Sequence, residues 1–538
     1  MYTTGKIASL LKAESNLVNN DTLIEQLLTD SRRLIFPETT LFFAIVSSRR
    51  NAHAFISELY ENGVRNFVVQ KNFDAASFAN ANFIFVDDTL AALQLLVAHH
   101  RKQFNYPVIA ITGSNGKTIV KEWLYQLLSP DYNIVRSPRS YNSQLGVPLS
   151  VWQMNDDDNL AIFEAGISMP NEMQKLADII QPNIGILTNI GNAHDENFTS
   201  TKQKTIEKCK LFTTCNAVIV NGDDESILKI LSEQSKAELI TWGNKENNSI
   251  QILSQQRKEH ETIIEFKYQN KINRLGISFT DEASIQNSLT CVAALILFKI
   301  PVEIINERLQ LLQAIDMRLQ LIPAINNCAL INDSYSFDIA SFSVALDFMQ
   351  QQNQFTQKTV ILSDLPAANN KGAYAEIIFM LKARDIKKVI AIGDNWKTYF
   401  PFLKDAISDV AYYSSTSEFL SKFSGNHFRN EIILLKGARK FQFENIADVL
   451  QQKVHRTVME INLTAIINNI NAYRKILKPG VKIMAMVKAS GYGSGSAEIA
   501  NVLQYHKADY LAVAYADEGV DLRKANIRLP IMVMNIDE

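Results

Sequence analysis

The 538-residue chain is short of cysteine and carries no surplus of either charge. Its four cysteines, Cys209, Cys215, Cys291 and Cys328, have neither CxxC spacing nor the density of a disulfide scaffold, so a covalently stapled fold is excluded and they read as buried free thiols. Cys209 and Cys215 have no second pair to complete a metal site. Lys plus Arg is 54 against 56 Asp plus Glu, a net charge of -2. A dedicated nucleic-acid binder needs a large basic surplus against phosphates, so no nucleic-acid partner is expected. The longest apolar stretch, Cys291 to Phe298, falls far short of the ~20 residues that a bilayer demands, and no membrane span is expected. The opening MYTTGKIASLLKAESNL lacks the apolar core and cleavage site of a secretory signal, so the expected location is cytoplasmic. No fixed-period repeat or low-complexity tract is present.

What is there is ordinary globular material, 47% hydrophobic and 20% charged, enough at roughly 100–200 residues per domain for three to five domains. Residues 1–89 alternate short apolar runs (LFFAIV, NFVVQ, NFIFVDD) with polar helical stretches, a small α/β domain, and Leu90 to Phe104 has the spacing of a connecting helix. Residues 90–312 read as a second domain. Its strands VIAIT, LAIFEAG, IGILTNI and NAVIVNGDD alternate with helices, which implies a parallel sheet; antiparallel hairpins (249–280) and a helix from Ser284 to Lys299 follow. Residues 313–455 form a third, nucleotide-fold-like unit, built on CALIND, TVILSD, KVIAIGD and EIILLKGAR and closed by a helix from Phe443 to Val454. A fourth unit, 456–538, restarts with a strand, VMEINL, and an amphipathic helix.

The strongest local signal is VIAITGSNGKT, Val108 to Thr118: a buried strand, a Gly-containing turn, and Lys-Thr opening a helix. Backbone amides of Gly113, Ser114, Asn115 and Gly116 can wrap phosphate oxygens, Lys117 adds a positive charge, and the Thr118 hydroxyl is a magnesium ligand type. The usual GxxxxGK[ST] asks for glycine where Ile111 stands.

The variant ITGSNGKT resembles instead the ATP-dependent Mur ligases and the related folylpolyglutamate synthases, which activate a carboxylate as an acyl phosphate for attack by an amine. The resemblance implies a three-domain α/β fold: a small UDP-recognition domain, a central P-loop ATPase-like parallel-sheet domain, and a Rossmann-like C-terminal domain. It implies ATP and Mg2+ as cofactors. On it, Glu164 in FEAG and His194 in TNIGNAH join Thr118 at the metal, and Lys208 in KCKLF matches a family lysine that CO2 carbamylates, with Lys210 the competing position. A carbamate replaces a cation by an oxygen-donor anion, and its formation needs a neutral amine. Asn287 matches the family's adenine-contacting Asn, and Arg318 and Asp333 match its phosphate- and ribose-contacting residues. The chain departs at DSYSFDIAS, where the family has DSYNANPxS; at Ala438 in KGAR, where it has Ser; and at LPAANNKG (365–372), in place of an ELG-type segment.

TDSRRLIFPETTLFFAI, with Ser31 and Arg32, resembles the family segment that recognises a UDP-muramoyl end, and YNSQLGVP, with Asn142, resembles a run in members that add a dipeptide. The substrates implied are UDP-N-acetylmuramoyl tripeptide and D-alanyl-D-alanine, with a monomeric ligase part. Because phosphate loop and Asp333 lie on different domains, closure of the third domain is expected to assemble the ATP site. In the fourth unit, VKIMAMVKASGYG resembles the pyridoxal-phosphate (PLP) segment of alanine racemases: Lys488 matches the Schiff-base lysine and Tyr492 a phosphate-contacting Tyr. A partial TIM-barrel fragment of roughly three of eight βα units is therefore expected, incomplete as a racemase at Glu538; a complete one would dimerise. Two rivals stay open: a folylpolyglutamate-synthase-like ligase, and a non-catalytic ligase-like scaffold.

Overall fold

The computed structural model describes residues 2–34, 36–47, 50–138, 140–191, 197–258, 261–312, 320–335, 337–352, 355–365, 371–424, 427–452, 461, 463–478, 480–492, 495–525 and 527–535. The chain divides into two compact units, 1–453 and 454–538.

In the first unit the N-terminal five-stranded sheet runs in the order 14–16, 82–86, 66–70, 40–43, 26–28, parallel except for its first pair. One face of it shares a core with the helices Thr89–Arg101 and Met173–Ile180 of the following domain. That domain is a nine-stranded sheet in the order 134–136, 160–164, 108–112, 184–187, 217–221, 238–243, 250–257, 262–268, 271–277. All five residues of strand Val108–Thr112 are buried because helices cover both faces. Ile109 and Ile111 enter the core with Lys117–Leu128 and Glu282–Leu297, while Val108 and Ala110 enter the opposite core, a strand's two-residue period feeding two layers. The expected antiparallel hairpin is there, turning at Gln269 and Asn270, both at positive φ (48° and 62°), the backbone that a two-residue hairpin turn requires.

The chain leaves strand 108–112 toward one side of the sheet and leaves strand 184–187 toward the other. The carboxyl ends of these two neighbours are thus a topological switch point, where open α/β sheets bind ligands.

Residues 320–452 form a six-stranded sheet in the order 320–324, 328–333, 431–436, 357–363, 388–392, 409–413, parallel apart from its first strand. Four strands here and in the central domain exceed the sequence reading: Ile134–Arg136, Glu238–Gly243, Gln320–Ala324 and Asp409–Tyr413. Asp409–Tyr413 is a half-buried edge strand with no apolar alternation to betray it. The helix expected from Phe443 to Val454 is instead Glu444–Leu450, because Gln451 bridges to Ala324 and the Gln452 amide donates to the Pro323 carbonyl, so pairing with the edge strand wins over another helical turn.

The second unit has three parallel strands, Met484–Met486, Tyr510–Val513 and Ile531–Val533, with helices Leu463–Ile476, Ser496–Tyr505 and Ala516–Lys524. The helices bury Leu511 and Val513 and half-bury Ala485 and Ile531 on one sheet face; on the other, Met484, Met486, Met532 and Met534 are exposed. Most of the strand expected at VMEINL lies outside the described residues. Among the described residues no helix is long and apolar enough to cross a membrane, and all four cysteines are free and buried.

Candidate active site

Gly113 to Thr118 connects the carboxyl end of strand Val108–Thr112 to helix Lys117–Leu128. Gly113 and Gly116 have φ of 147° and 82°, and a Cβ at either would run into Thr188 Oγ1 or Asn287 Oδ1 respectively, so both positions demand glycine. The loop is fastened to the segment after the neighbouring strand. The Ser114 amide donates to the Asn189 carbonyl (2.8 Å), the Asn115 amide to Asn189 Oδ1 (2.8 Å), and Thr188 Oγ1 to the Asn115 carbonyl (2.6 Å). Ser114 Oγ both donates to the Gly191 carbonyl (3.0 Å) and accepts from its amide (2.9 Å). Asn287, buried on helix Glu282–Leu297, closes over Gly116.

Beside the loop, Thr118 Oγ1 donates to Glu164 Oε2 at 2.8 Å, and Asn142 Nδ2 donates to Glu164 Oε1 at 2.6 Å. Glu164 ends strand Leu160–Glu164, next to and in parallel register with 108–112, so sheet pairing delivers the carboxylate to the loop. Its own amide donates to Ser137 Oγ (3.1 Å). Buried Lys121, one turn beyond Lys117, donates to the Ser137 carbonyl (2.7 Å) and bolts the turn that carries Asn142 to the same helix. A carboxylate and a hydroxyl in contact are hard oxygen donors, and magnesium is ordinarily held by one or two carboxylates with phosphates and water, so this pair fits that ion.

Lysines converge on the loop's other side. Lys117 Nζ donates to the carbonyls of Gly113 and Ser114 (both 2.9 Å), Lys208 Nζ to that of Gly113 (3.0 Å), and Lys204 Nζ to that of Gly191. Lys204 and Lys208 sit one turn apart on helix Thr201–Cys209, both buried. Burial, followed by the charges of Lys117 and Lys204, pushes the Lys208 ammonium well below the ordinary lysine range. Lys210, the competing candidate, is paired with Glu207 at 2.6 Å and does not reach the loop.

In the third domain, Asp333 and Lys436 are in-register neighbours at the ends of parallel strands Cys328–Asp333 and Glu431–Lys436, with Lys436 Nζ 2.5 Å from Asp333 Oδ2. Within DSYSFDIAS, Ser341 forms a capping box with Asp338 at the start of helix Ile339–Gln351, which gives the retained serine a local role. His194 and Arg318 lie outside the described residues. Ser31 is buried at the start of a turn capped by Asp30; Arg32 is exposed and grips Asp30 through two hydrogen bonds of 2.9 and 2.6 Å. It is the next residue, Arg33, that lies over the Tyr141 ring (5.5 Å), in the segment carrying Asn142. A cavity of about 260 Å³ lined by Ile45, Ser143, Gln144, Gly166, Ser168 and Glu172 opens nearby, between the N-terminal and central domains.

In the second unit Lys488 opens a short helix directly beyond strand Met484–Met486, the strand end at which a βα barrel carries its chemistry. Glu518 accepts from the amides of Ala489 (2.5 Å), Ala514 (2.7 Å) and Tyr515 (3.3 Å). Burial raises its pKa, but these amides and the Lys488 charge outweigh that and hold the carboxyl below its ordinary value. A lysine at this strand end is the residue type that an aldehyde cofactor such as PLP takes, so the position fits that group. The Tyr492 side chain lies outside the described part of the structure.

The sequence reading missed Lys204, Lys121, Asn189 and Arg33. Of these only Lys204 carries a signal, its four-residue spacing from Lys208 on one helix face.

A phosphate-type loop at a switch point, a hydroxyl and carboxylate beside it, and a second nucleotide-fold domain define an ATP-dependent ligase architecture. Comparison with known proteins specifies it: residues 111–295 match the Mur ligase middle domain, and residues 461–538 match the alanine racemase N-terminal domain. The chain is 26% identical over 455 residues to the UDP-N-acetylmuramoyl-tripeptide–D-alanyl-D-alanine ligase of Bacillus subtilis, covering 82% of this chain and 97% of that protein. Among solved structures it resembles MurF from Acinetobacter baumannii (TM-score 0.72, 22% identity, 83% of this chain and 98% of that one). It also resembles MurF ligase from Thermotoga maritima in complex with ADP (TM-score 0.66, 18% identity, 80% and 98%). The chain is thus a homologue of the MurF ligases joined to the N-terminal part of an alanine racemase.

Proposed function

We propose that the first unit joins D-alanyl-D-alanine to UDP-N-acetylmuramoyl tripeptide in peptidoglycan precursor synthesis, driven by ATP. The observation that carries this reading is the contact of Thr118 with Glu164 beside the glycine loop, together with homology along the whole length of the ligases. In this reading residues 1–89 recognise the UDP end with Ser31 and Arg32, residues 90–312 hold ATP, and residues 313–455 form the C-terminal ligase domain. The Gly113 and Gly116 amides and the Lys117 ammonium hold the phosphates, Ser114 and Asn115, whose own amides donate to Asn189, line the loop beside them, Asn287 meets the adenine, Arg318 a phosphate and Asp333 the ribose. Thr118, Glu164, His194 and a carbamylated Lys208 are the residues that would hold magnesium. Magnesium, when bound, offsets phosphate charge.

A carboxylate oxygen of the tripeptide attacks the γ-phosphorus and ADP leaves. The dipeptide nitrogen then attacks the acyl carbon, loses a proton, and phosphate departs. Lys117, held over the loop by two carbonyls, neutralises charge on the transferred group. The depressed Lys208 amine is nucleophilic toward CO2, which is the prerequisite for its modification. Asn142, in contact with Glu164, serves by orienting that carboxylate as well as by facing substrate.

Phosphate release tests the function. It should require ATP, the UDP-linked tripeptide and D-alanyl-D-alanine together. Glutamate-dependent release would favour a folylpolyglutamate-type ligase, and no release with any combination would favour a scaffold. Residues 461–538 match the alanine racemase N-terminal domain; in this reading, for the unit 456–538, Lys488 is the amine that would hold PLP and Tyr492 would meet its phosphate. The pairing is coherent, since a racemase makes the D-alanine from which the ligase's dipeptide is built.

A further inference from the structure

Lys436 is a buried cation that the reaction described above does not use, only 1% exposed at its side chain. It lies on the last residue of strand Glu431–Lys436, directly opposite Asp333 on the last residue of the neighbouring strand, and its Nζ is 2.5 Å from Asp333 Oδ2. Asp333 is 12% exposed at its side chain, and among the described residues its Oδ1 has no hydrogen-bond partner. A carboxylate with one oxygen gripped by a fixed ammonium and the other left over is oriented rather than merely neutralised.

The surroundings keep the lysine where it is. Ser334 Oγ donates to Asn332 Oδ1 (2.6 Å), holding the turn after Asp333. A Cβ on Gly437 would lie 2.6 Å from the Phe443 ring, so the backbone after Lys436 runs tight against that ring, and the Ala438 amide donates to Ser363 Oγ (2.9 Å) on the next strand. Three adjacent strand ends are thereby tied together at the edge where an α/β sheet takes its ligands.

We infer that Lys436 is a positioning residue for nucleotide recognition: it fixes the Asp333 carboxylate so that Oδ1 accepts a hydrogen bond from a ribose hydroxyl of ATP. This rests on the reading of Asp333 as the ribose contact. The effect belongs to nucleotide binding and not to phosphoryl transfer, because Lys436 reaches the nucleotide only through Asp333. KM and kcat should therefore separate.

The test measures KM and kcat by phosphate release, and nucleotide affinity by calorimetry, with the full chain. ATP is compared with 2′-deoxy-ATP and 3′-deoxy-ATP for the wild type, Lys436→Met, Lys436→Arg and Asp333→Asn. For a hydrogen bond to a charged group the expectation is about a tenfold rise in the KM for ATP in Lys436→Met, with kcat within about threefold. The deoxynucleotide that lacks the contacted hydroxyl should already bind the wild type about tenfold more weakly, and Lys436→Met should add less than about twofold to that. Lys436→Arg, which keeps the charge, should recover part of the loss. Equal weakening of all three nucleotides by Lys436→Met, or a fall in kcat at unchanged KM, overturns the inference. If Asp333→Asn loses discrimination between ATP and the deoxynucleotide while Lys436→Met keeps it, the inference fails and the reading of Asp333 stands. If the wild type does not discriminate at all, both fall. Should Lys436→Met not fold, Lys436→Gln replaces it under the same criteria: a raised KM for ATP with lost discrimination supports the inference, and equal weakening of all three nucleotides or retained discrimination overturns it.

Discussion

Thr118 Oγ1 stands 2.8 Å from Glu164 Oε2, joining the first turn of the helix after the glycine loop to the end of the adjacent strand. The two residues are 46 positions apart, and parallel pairing of Ile111 with Glu164 brings them together. In the proposed function this is the carboxylate that would hold the nucleotide's magnesium. Glu164→Gln keeps the shape and one hydrogen bond but loses the charge. Ligation is expected to fall about 100-fold or more, with the thermal midpoint changed little. Lys117→Ala should likewise abolish ligation in a folded protein. Phosphate release and a melting curve read both, and undiminished turnover in either variant refutes the assigned role.

Lys208 is held below the ordinary lysine range by burial and by Lys117 and Lys204. Its folded-state pKa being lower than its unfolded one, the unfolded chain binds the extra proton in the window between the two. Stability from this group is therefore unimpaired above the unfolded value and is lost as pH falls toward the folded one. Lys208→Met should remove that cost, raising the thermal midpoint at neutral pH by a few degrees, roughly 2–4 °C per kcal/mol recovered, while eliminating ligation. A lower midpoint would mean that the hydrogen bond from Lys208 to the Gly113 carbonyl outweighs the cost of burying the amine.

The loop glycines are predicted to be irreplaceable. Gly116→Ala sets a methyl against Asn287 Oδ1 at a φ of 82° and should cost about 1–2 kcal/mol locally, together with nucleotide affinity. Titration with ATP followed by calorimetry decides; wild-type affinity would show that the loop does not cradle phosphate.

His100, on the helix Thr89–Arg101, donates from Nε2 to the Met154 carbonyl (3.1 Å) and packs against Trp152, and burial lowers its pKa to about 4. Above the unfolded value near 6.5 both states are neutral and the group contributes nothing to pH dependence. As pH falls from there toward 4 the unfolded chain takes up a proton and the folded one does not, so stability drops, on the order of 2 kcal/mol for a partly screened site. His100→Gln should flatten the acid limb between those pH values, as followed by urea unfolding. An unchanged limb would assign it to other groups.

In the second unit, incubation with PLP and reduction with borohydride is expected to label Lys488 ahead of the chain's other lysines. Peptide mass spectrometry locates the label; a label spread over surface lysines would remove Lys488 from that role.

Much of this was legible in one dimension. Strand, glycine turn and Lys-Thr are adjacent in sequence because a phosphate loop is a local structure, and every element of Val108–Leu128 appears where the apolar pattern puts it. The edge strand Asp409–Tyr413 and the shortened helix Glu444–Leu450 were not legible, since each depends on a neighbour from a distant part of the chain.

The sequence by itself determined the loop, the order of the domains and the amphipathic pattern of their helices, because these follow from backbone preference and hydrophobic period. Only the tertiary structure decided which lysine of the 204, 208 and 210 set reaches the loop, that Asn142 grips Glu164, and that Lys436 lies against Asp333. Those choices depend on sheet register and burial, which bring together residues that share no neighbourhood along the chain.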